Sequence, residues 1–235
     1  CREKCARYLK VDHREIFFTS GATEANHLAI RGLAEQSNRN SVKSSVYYSQ
    51  LEHPCVLDAV NQASFKGVIE LSINANGEPD FPKIIDQLKA NDLLICMAAN
   101  NETGRVFDLG EIAKICRSRA CYLHADMVQT PGKLDISLDN ISTASFSGHK
   151  FGAAKGIGIF YKQRGLEFPP IFNGSQEKGF RAGTENLLGI LSLSIAIDPI
   201  FFKYQPNIGI NKSSFLRINI GELNIVCKKK VSNID

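Results

Sequence analysis

Lys150 closes a six-residue run, Ser145-Phe146-Ser147-Gly148-His149-Lys150, in which a hydroxyl and an imidazole accompany an amine. A lysine amine captures carbonyl carbons when burial or nearby positive charge lowers its pKa. Ile141–Phe146 is β-prone, a glycine-containing turn follows Lys150, and Ile157–Tyr161 is a second apolar run. Strand, turn and strand would hold Lys150 at the end of a sheet, within reach of a carbonyl compound. Taken alone, the hexapeptide also reads as a surface turn with a solvated lysine. The rest of the chain decides between the two.

Further polar residues fall at comparable places. Thr19-Ser20-Gly21-Ala22-Thr23-Glu24 turns from a short apolar run into a helical pattern. A small-residue turn feeding a helix N-terminus offers free N–H groups and the positive end of the helix dipole, a seat for phosphate to which Thr23 adds a hydroxyl. A plain capped helix start is the local alternative. His53 precedes Pro54, where it either faces a ligand or caps the next helix. Asn101, Asp126 and Gln129 follow other short apolar runs. Asn101 could equally form a turn, and Asp126 could bond its own backbone.

The elements that would position these residues alternate. Strand-like runs are expected at 15–18, 45–48, 68–73, 93–97, 121–124, 141–146 and 157–161. Helical patterns are expected at 1–10, from the Thr19–Glu24 turn to about Ala34, at 54–65, 81–88 and 108–117. Ala25, Leu28, Ala29 and Leu33 keep helical spacing, and Pro54 suits a first helical turn. The fully apolar Leu93–Met97 is typical of a buried parallel strand. Alternation predicts an α/β fold with a mainly parallel sheet and helices on both faces. Thr23, His53, Asn101, Asp126, Gln129 and Lys150 all lie at or just after expected strand C-terminal ends, where open α/β sheets bind ligands.

This constellation suits a phosphorylated pyridine aldehyde, pyridoxal 5′-phosphate. Lys150 would take the aldehyde carbon. The Ala22–Thr23 turn, Ser147 and His149 would hold the phosphate. Asp126 would pair with the ring nitrogen and keep it protonated, which makes the ring an electron sink. His53 would stack on the ring, and Asn101 and Gln129 would bond its oxygen.

Composition sets the outer limits. The chain has 235 residues, 43% hydrophobic and 22% charged, ordinary for a globular protein. A net charge of +4 is too mild to argue for nucleic acid, and Lys228-Lys229-Lys230 reads as a solvated tail. No apolar run approaches the roughly 20 residues of a membrane span. Seven scattered cysteines suggest reduced thiols and a cytoplasmic setting. Cys1 and Cys5 stand one helical turn apart without a second pair of ligand spacing, so they read as helix residues and no metal is expected. The start at Cys1 rather than Met suggests a processed or incomplete product.

Six motifs carry a family resemblance: GATEAN (21–26), EHPCVLDA (52–59), NNETG (100–104), HADMVQTPGK (124–133), SFSGHK (145–150) and RAGTEN (181–186). Over roughly residues 1–190 the chain resembles the NifS-type cysteine desulfurases, class V of the fold-type I pyridoxal-phosphate enzymes. The resemblance implies the large cofactor domain over 1–190 and an incomplete small C-terminal lobe over 191–235. It makes Lys150 the Schiff-base lysine, Asp126 the ring-nitrogen partner and His53 the stacking residue and proton shuttle. Asn101 and Gln129 become cofactor contacts, and Ala22, Thr23, Ser147, Gly148 and His149 become the phosphate cup. Thr184 resembles the threonine that reaches a neighbouring subunit's phosphate, implying a homodimer. The implied reaction takes sulfur from L-cysteine, leaving alanine and an enzyme persulfide destined for an acceptor protein in iron–sulfur cluster or thio-modification pathways.

The chain also departs from that family. The family's Asn-Ala-Thr-Thr-like opening segment is absent before Cys1. Cys227 lacks the serine- and glycine-rich loop of the family's nucleophile, and Arg217 is unsupported as a carboxylate clamp. His27, Asn173-Gly174-Ser175 and Lys178 replace an asparagine, a glycine triplet and an arginine. Desulfuration by these residues alone is therefore less strongly implied than the cofactor seat. A non-catalytic remnant or interaction protein, and another class V enzyme such as a selenocysteine lyase or aminotransferase, remain the alternatives.

Overall fold

The computed structural model describes residues 1–39, 44–170, 173–198, 215–220 and 223–228. Helix α1 (Arg2–Leu9) precedes β1 (Ile16–Thr19) and the long α2 (Ala22–Arg39). Then come β2 (Ser45–Ser49), α3 (Pro54–Gln62), β3 (Gly67–Leu71), β4 (Leu93–Ile95) and α4 (Leu109–Ser118). Next are β5 (Tyr122–Asp126), β6 (Thr143–Ser147), β7 (Gly158–Lys162) and α5 (Leu187–Ala196).

These strands form a seven-stranded sheet in the order β1-β7-β6-β5-β4-β2-β3. Strands β2 to β6 pair in parallel, and β7 runs antiparallel to both neighbours, β6 and β1. The C-terminal ends of β1, β2, β4, β5 and β6 therefore share one rim of the sheet with the start of β7.

Side-chain alternation sorts the two faces. Ile16, Phe18, Leu94, Leu123, Ala125, Ala144, Phe146, Ile159 and Tyr161 pack with Cys5, Ala6 and Leu9 of α1, with α4, and with Leu193 of α5. On the opposite face Val46, Leu93 and Ile95 meet Ile30 and Leu33 of α2 and Val56, Ala59 and Val60 of α3. There Phe17 and Phe160 meet Ala25, Leu28 and Ala29 of α2. The sheet is thus covered on both sides, as alternation predicts.

Local chemistry sets the helix ends. The Asp108 carboxylate accepts the Gly110 and Glu111 N–H groups and starts α4. Lys10 ends α1 in the left-handed region at φ 57. Asn186 caps α5 by accepting the Gly189 N–H at 2.9 Å.

Several boundaries differ from expectation. The helix expected over 81–88 is a 3-10 turn at Phe81–Lys83 followed by turns. Leu88 N–H does reach Ile84 O at 3.1 Å, but Gln87 N–H falls back to the same carbonyl at 2.9 Å, so no regular ladder builds. Ile84 and Leu88 are nonetheless buried, which is the apolar spacing that suggested a helix. Helix α3 stops at Gln62 rather than 65, and Asp126 is the last residue of β5 rather than lying beyond it.

Residues Cys1–Asp198 form one compact unit, and α5 runs through residue 190. Within Pro199–Asp235, β8 (Phe215–Ile220) and β9 (Leu223–Lys228) pair as an antiparallel hairpin. The side chains of Arg217 and Cys227 lie outside the described residues, as do Lys229 and Lys230. No helix among the described residues is long and apolar enough to cross a membrane.

Candidate functional site

Asp126 ends β5, whose alternation puts His124 and Asp126 on the face covered by α2. Asp126 is 7% exposed and His124 is fully buried. Asn26, in the second turn of α2, bridges them. Its Nδ2 donates to Asp126 Oδ2 at 3.0 Å, and its Oδ1 lies 3.0 Å from His124 Nε2. A carboxylate only accepts, so the amide turns its nitrogen to Asp126 and its oxygen to His124. His124 Nε2 then carries the proton, and its bare Nδ1 faces Thr143 Oγ1 at 2.9 Å. Burial drives His124 down to about 3, so the ring is neutral. Thr143, His124 and Asn26 thus form a one-way chain of donors ending on Asp126.

Asp126 Oδ1 also accepts the Val128 N–H at 3.0 Å. Burial raises the pKa of Asp126. The Val128 and Asn26 hydrogen bonds and the charges of His53 and Lys150 oppose that rise. The carboxylate, the imidazole and the amine therefore stand close enough to feel one another. Lys150 itself ends the short turn Gly148–Lys150 and is exposed, with no hydrogen bond or ion pair among the described residues.

His53 does cap α3, as its local alternative held: Nδ1 accepts the Cys55 N–H at 3.2 Å. That bond orients the ring and leaves Nε2 as the N–H of its neutral form. Cys55 Sγ lies 3.0 Å from His53 Nδ1 and accepts from Asn26 Nδ2 at 3.3 Å. The Thr23 hydroxyl bonds the same thiol. Burial raises Cys55 above the ordinary thiol value, so the sulfur is uncharged here.

The loops after β1 and β6 meet across β7. Gly158 pairs in register with both Thr19 and Ser147. A Cβ on Gly158 would stand 2.7 Å from Gly21 C and Cα and from Phe146 O, all backbone atoms. Only glycine lets these strands close so tightly. A Cβ on Gly21 would meet Ser147 Oγ at 3.9 Å, an ordinary contact, and Ser147 Oγ faces His149 Nδ1 at 3.0 Å. Ala22 and Thr23 open α2, so their N–H groups are among those a helix leaves without internal partners.

The RAGTEN segment joins GATEAN through a two-bond ion pair. Arg181 Nε donates to Glu24 Oε1 at 2.6 Å and its terminal nitrogen to Oε2 at 3.1 Å. Glu24 Oε2 also accepts the Ser20 N–H at 2.7 Å, which steadies the turn before α2.

A family model described as aminotransferase class-V matches residues 1–213. The chain belongs to the class V aminotransferase family. It is 40% identical over 205 residues to a cysteine desulfurase of Nostoc sp. strain PCC 7120, covering 84% of this chain and 50% of that one. A solved NifS-like protein superposes with a TM-score of 0.79 at 33% identity, covering 86% of this chain and 57% of the other. A solved structure of SspA in complex with cysteine gives 0.76 at 32% identity, covering 92% and 65%. The NifS-like resemblance carried by the motifs agrees with these relatives. The chain spans about half the length of the curated relatives it matches.

For this class V chain the predicted residues fall into two groups. Thr23, His53, Asp126 and Lys150 are linked through Cys55 and through charge, while Ser147 and His149 lie together beside the Gly21 turn that leads into Ala22. Hydrogen bonds among the described residues do not join Asn101, Gln129 or Thr184 to them. Asn101 is exposed in its turn, where Asn100 makes the side-chain bonds. Gln129 Oε1 accepts from Lys133 Nζ at 3.0 Å, and Thr184 is exposed.

Sequence reasoning missed Asn26, His124 and Cys55 as site residues. Asn26 carried a signal, since it lies four before Ile30 and seven before Leu33 on the inward stripe of α2. His124 carried another, two residues before Asp126 on the same strand. Among the described residues no group of three His, Cys, Asp or Glu side chains is placed to hold a metal ion.

Proposed function

We propose that this class V chain supplies the pyridoxal 5′-phosphate domain of a cysteine desulfurase, turning L-cysteine into L-alanine with sulfur passed on as a persulfide. The observation that carries the reading is Asp126: a buried carboxylate fed by an ordered donor chain, with His53 and Lys150 within electrostatic reach.

The donor set suits the cofactor. Asp126 offers an anion for a protonated pyridine nitrogen. The start of α2, the Ser147 hydroxyl and His149 offer donors for a dianionic phosphate, and Gly158 lets the Gly21 turn close against β6 and β7. When bound, the cofactor supplies an electron sink that stabilises a carbanion next to nitrogen. Lys150 would be the amine that holds the cofactor's aldehyde carbon, and as a free amine it would take a proton from the substrate's Cα. His53, held at Nδ1 by its cap, moves a proton at Nε2. Asn101 and Gln129 would bond the ring oxygen if their side chains turned from solvent and from Lys133.

The whole reaction needs more than these contacts. Thr184 reaches the phosphate of a second copy in a homodimer. Its exposure, with Leu187 and Leu188 beside it at 73% and 81% exposed, supports that reading. The thiol that accepts sulfur is not assigned to a residue of this chain, and an acceptor protein receives the sulfur in a reducing cytoplasm.

Titration with pyridoxal 5′-phosphate tests the reading. A visible absorbance band is expected, lost in Lys150→Ala, and folded wild-type protein without the band overturns it. Alanine release on adding L-cysteine, compared with selenocysteine and with amino-group acceptors, fixes the reaction within the family.

A further inference from the structure

Glu52 stands one residue before His53 and is 5% exposed. Its Oε1 accepts the Met97 N–H at 2.7 Å, tying the turn between β2 and α3 to the chain just past β4. Its Oε2 is buried without a hydrogen-bond partner among the described residues. A buried carboxylate oxygen with no donor is costly, and a neutral carboxyl is far less so.

Asp126 is near enough for its charge to act on Glu52, and Glu52 acts in turn on Cys96. The two buried acids are unequally served. Asp126 accepts from Asn26 and Val128 and feels His53 and Lys150. Glu52 has one backbone N–H. Neighbouring acids in such unlike surroundings split their proton affinities, and the proton goes to the poorly served one.

We propose that Glu52 is an uncharged carboxylic acid in the folded protein, a positioning residue that fixes the His53-bearing turn to the end of β4 and leaves Asp126 as the anion of the pocket. A second anion beside Asp126 would compete with it for a protonated ring. Only that last consequence rests on the proposed function.

Burial first, and then the Asp126 charge, push Glu52 up to about 8. Because its folded value is raised, the stability this carboxyl contributes is full below the ordinary glutamate value. It is lost as pH rises to about 8.

Carbon-13 NMR of protein labelled at glutamate carboxyls, without cofactor, reads the charge directly. One resonance is expected to titrate near 8 and to vanish in Glu52→Gln. If every glutamate titrates between about 4 and 5, the proposal fails. The nitrogen-15 signals of the His53 ring read the positioning. Glu52→Gln keeps both polar atoms and should leave them unchanged, whereas Glu52→Ala should shift them. Unmoved signals in folded Glu52→Ala overturn the positioning role; if that variant does not fold, Glu52→Leu replaces it.

Titration with pyridoxal 5′-phosphate adds a third readout. Glu52→Gln should bind within about threefold of wild type and Glu52→Ala more than about tenfold weaker. Wild-type protein that shows the high glutamate titration yet takes up no pyridoxal 5′-phosphate would remove the proposed function and leave the Glu52 assignment standing.

Discussion

Asn26 Nδ2 donates to Asp126 Oδ2 at 3.0 Å across 100 residues of sequence. The same amide accepts from His124, so one side chain of α2 fixes two residues of β5. This arrangement, rather than a cation bonded to it, supplies the hydrogen bonds that favour the charged form of Asp126 against its burial.

Replacing Asn26 with alanine would leave Asp126 Oδ2 and the His124 Nε2–H buried without partners. Each orphaned group costs about 1–3 kcal/mol, so Asn26→Ala should lose about 2–4 kcal/mol of stability. Urea unfolding followed by circular dichroism measures it. A loss under about 0.5 kcal/mol would show that the bridge contributes little.

Gly158→Ala would press a methyl group into the backbone of Gly21 and Phe146. Overpacking of this kind costs about 1–3 kcal/mol. Because the displaced atoms belong to the phosphate turn, affinity for pyridoxal 5′-phosphate should fall by more than about tenfold at temperatures where the variant stays folded. Absorbance titration at low temperature separates the two effects. Unchanged affinity would separate Gly21 from the cofactor cup.

The neutral His124 gives a pH signature. Its folded value of about 3 lies below the ordinary histidine value of 6.5, so the unfolded chain binds the proton more readily. Its contribution is full above 6.5 and is lost as pH falls toward 3, by up to about 1.4 kcal/mol per pH unit. Glu52 acts in the opposite direction over part of that window, so the test is a comparison. His124→Gln should show a flatter fall in urea midpoint than wild type between about pH 6 and pH 4. Parallel curves would mean that His124 takes up no proton on unfolding.

Arg181→Lys keeps the charge opposite Glu24 but loses the two-bond fork. Both side chains are partly exposed, so the cost in stability should be modest, about 1 kcal/mol. The larger effect should appear at the turn, where the Ser20 N–H depends on Glu24. Faster amide exchange at Ser20 through Thr23 in Arg181→Lys is expected. Exchange equal to wild type would show that the turn holds without the RAGTEN segment.

The order of strands and helices was legible in the chain because each element's period is local. Leu93–Ile95 and Ile157–Tyr161 are apolar enough to be strands in any context, and α2 shows its stripe. Rim placement of Thr23, His53, Asp126 and Lys150 followed, since a parallel sheet brings strand C-termini together. The turn at Phe81–Lys83 was misread because buried Ile84 and Leu88 imitate a helical stripe.

Sequence by itself determined the family motifs, the alternating architecture and the residue types that converge on the rim. Tertiary structure alone decided that Asn26 is a bridge rather than a surface amide, that Gly158 must lack a side chain, and which buried acid, Glu52 or Asp126, holds a proton. Those properties depend on distances between elements and on water removed from both partners. Neither quantity is a property of any one stretch of chain.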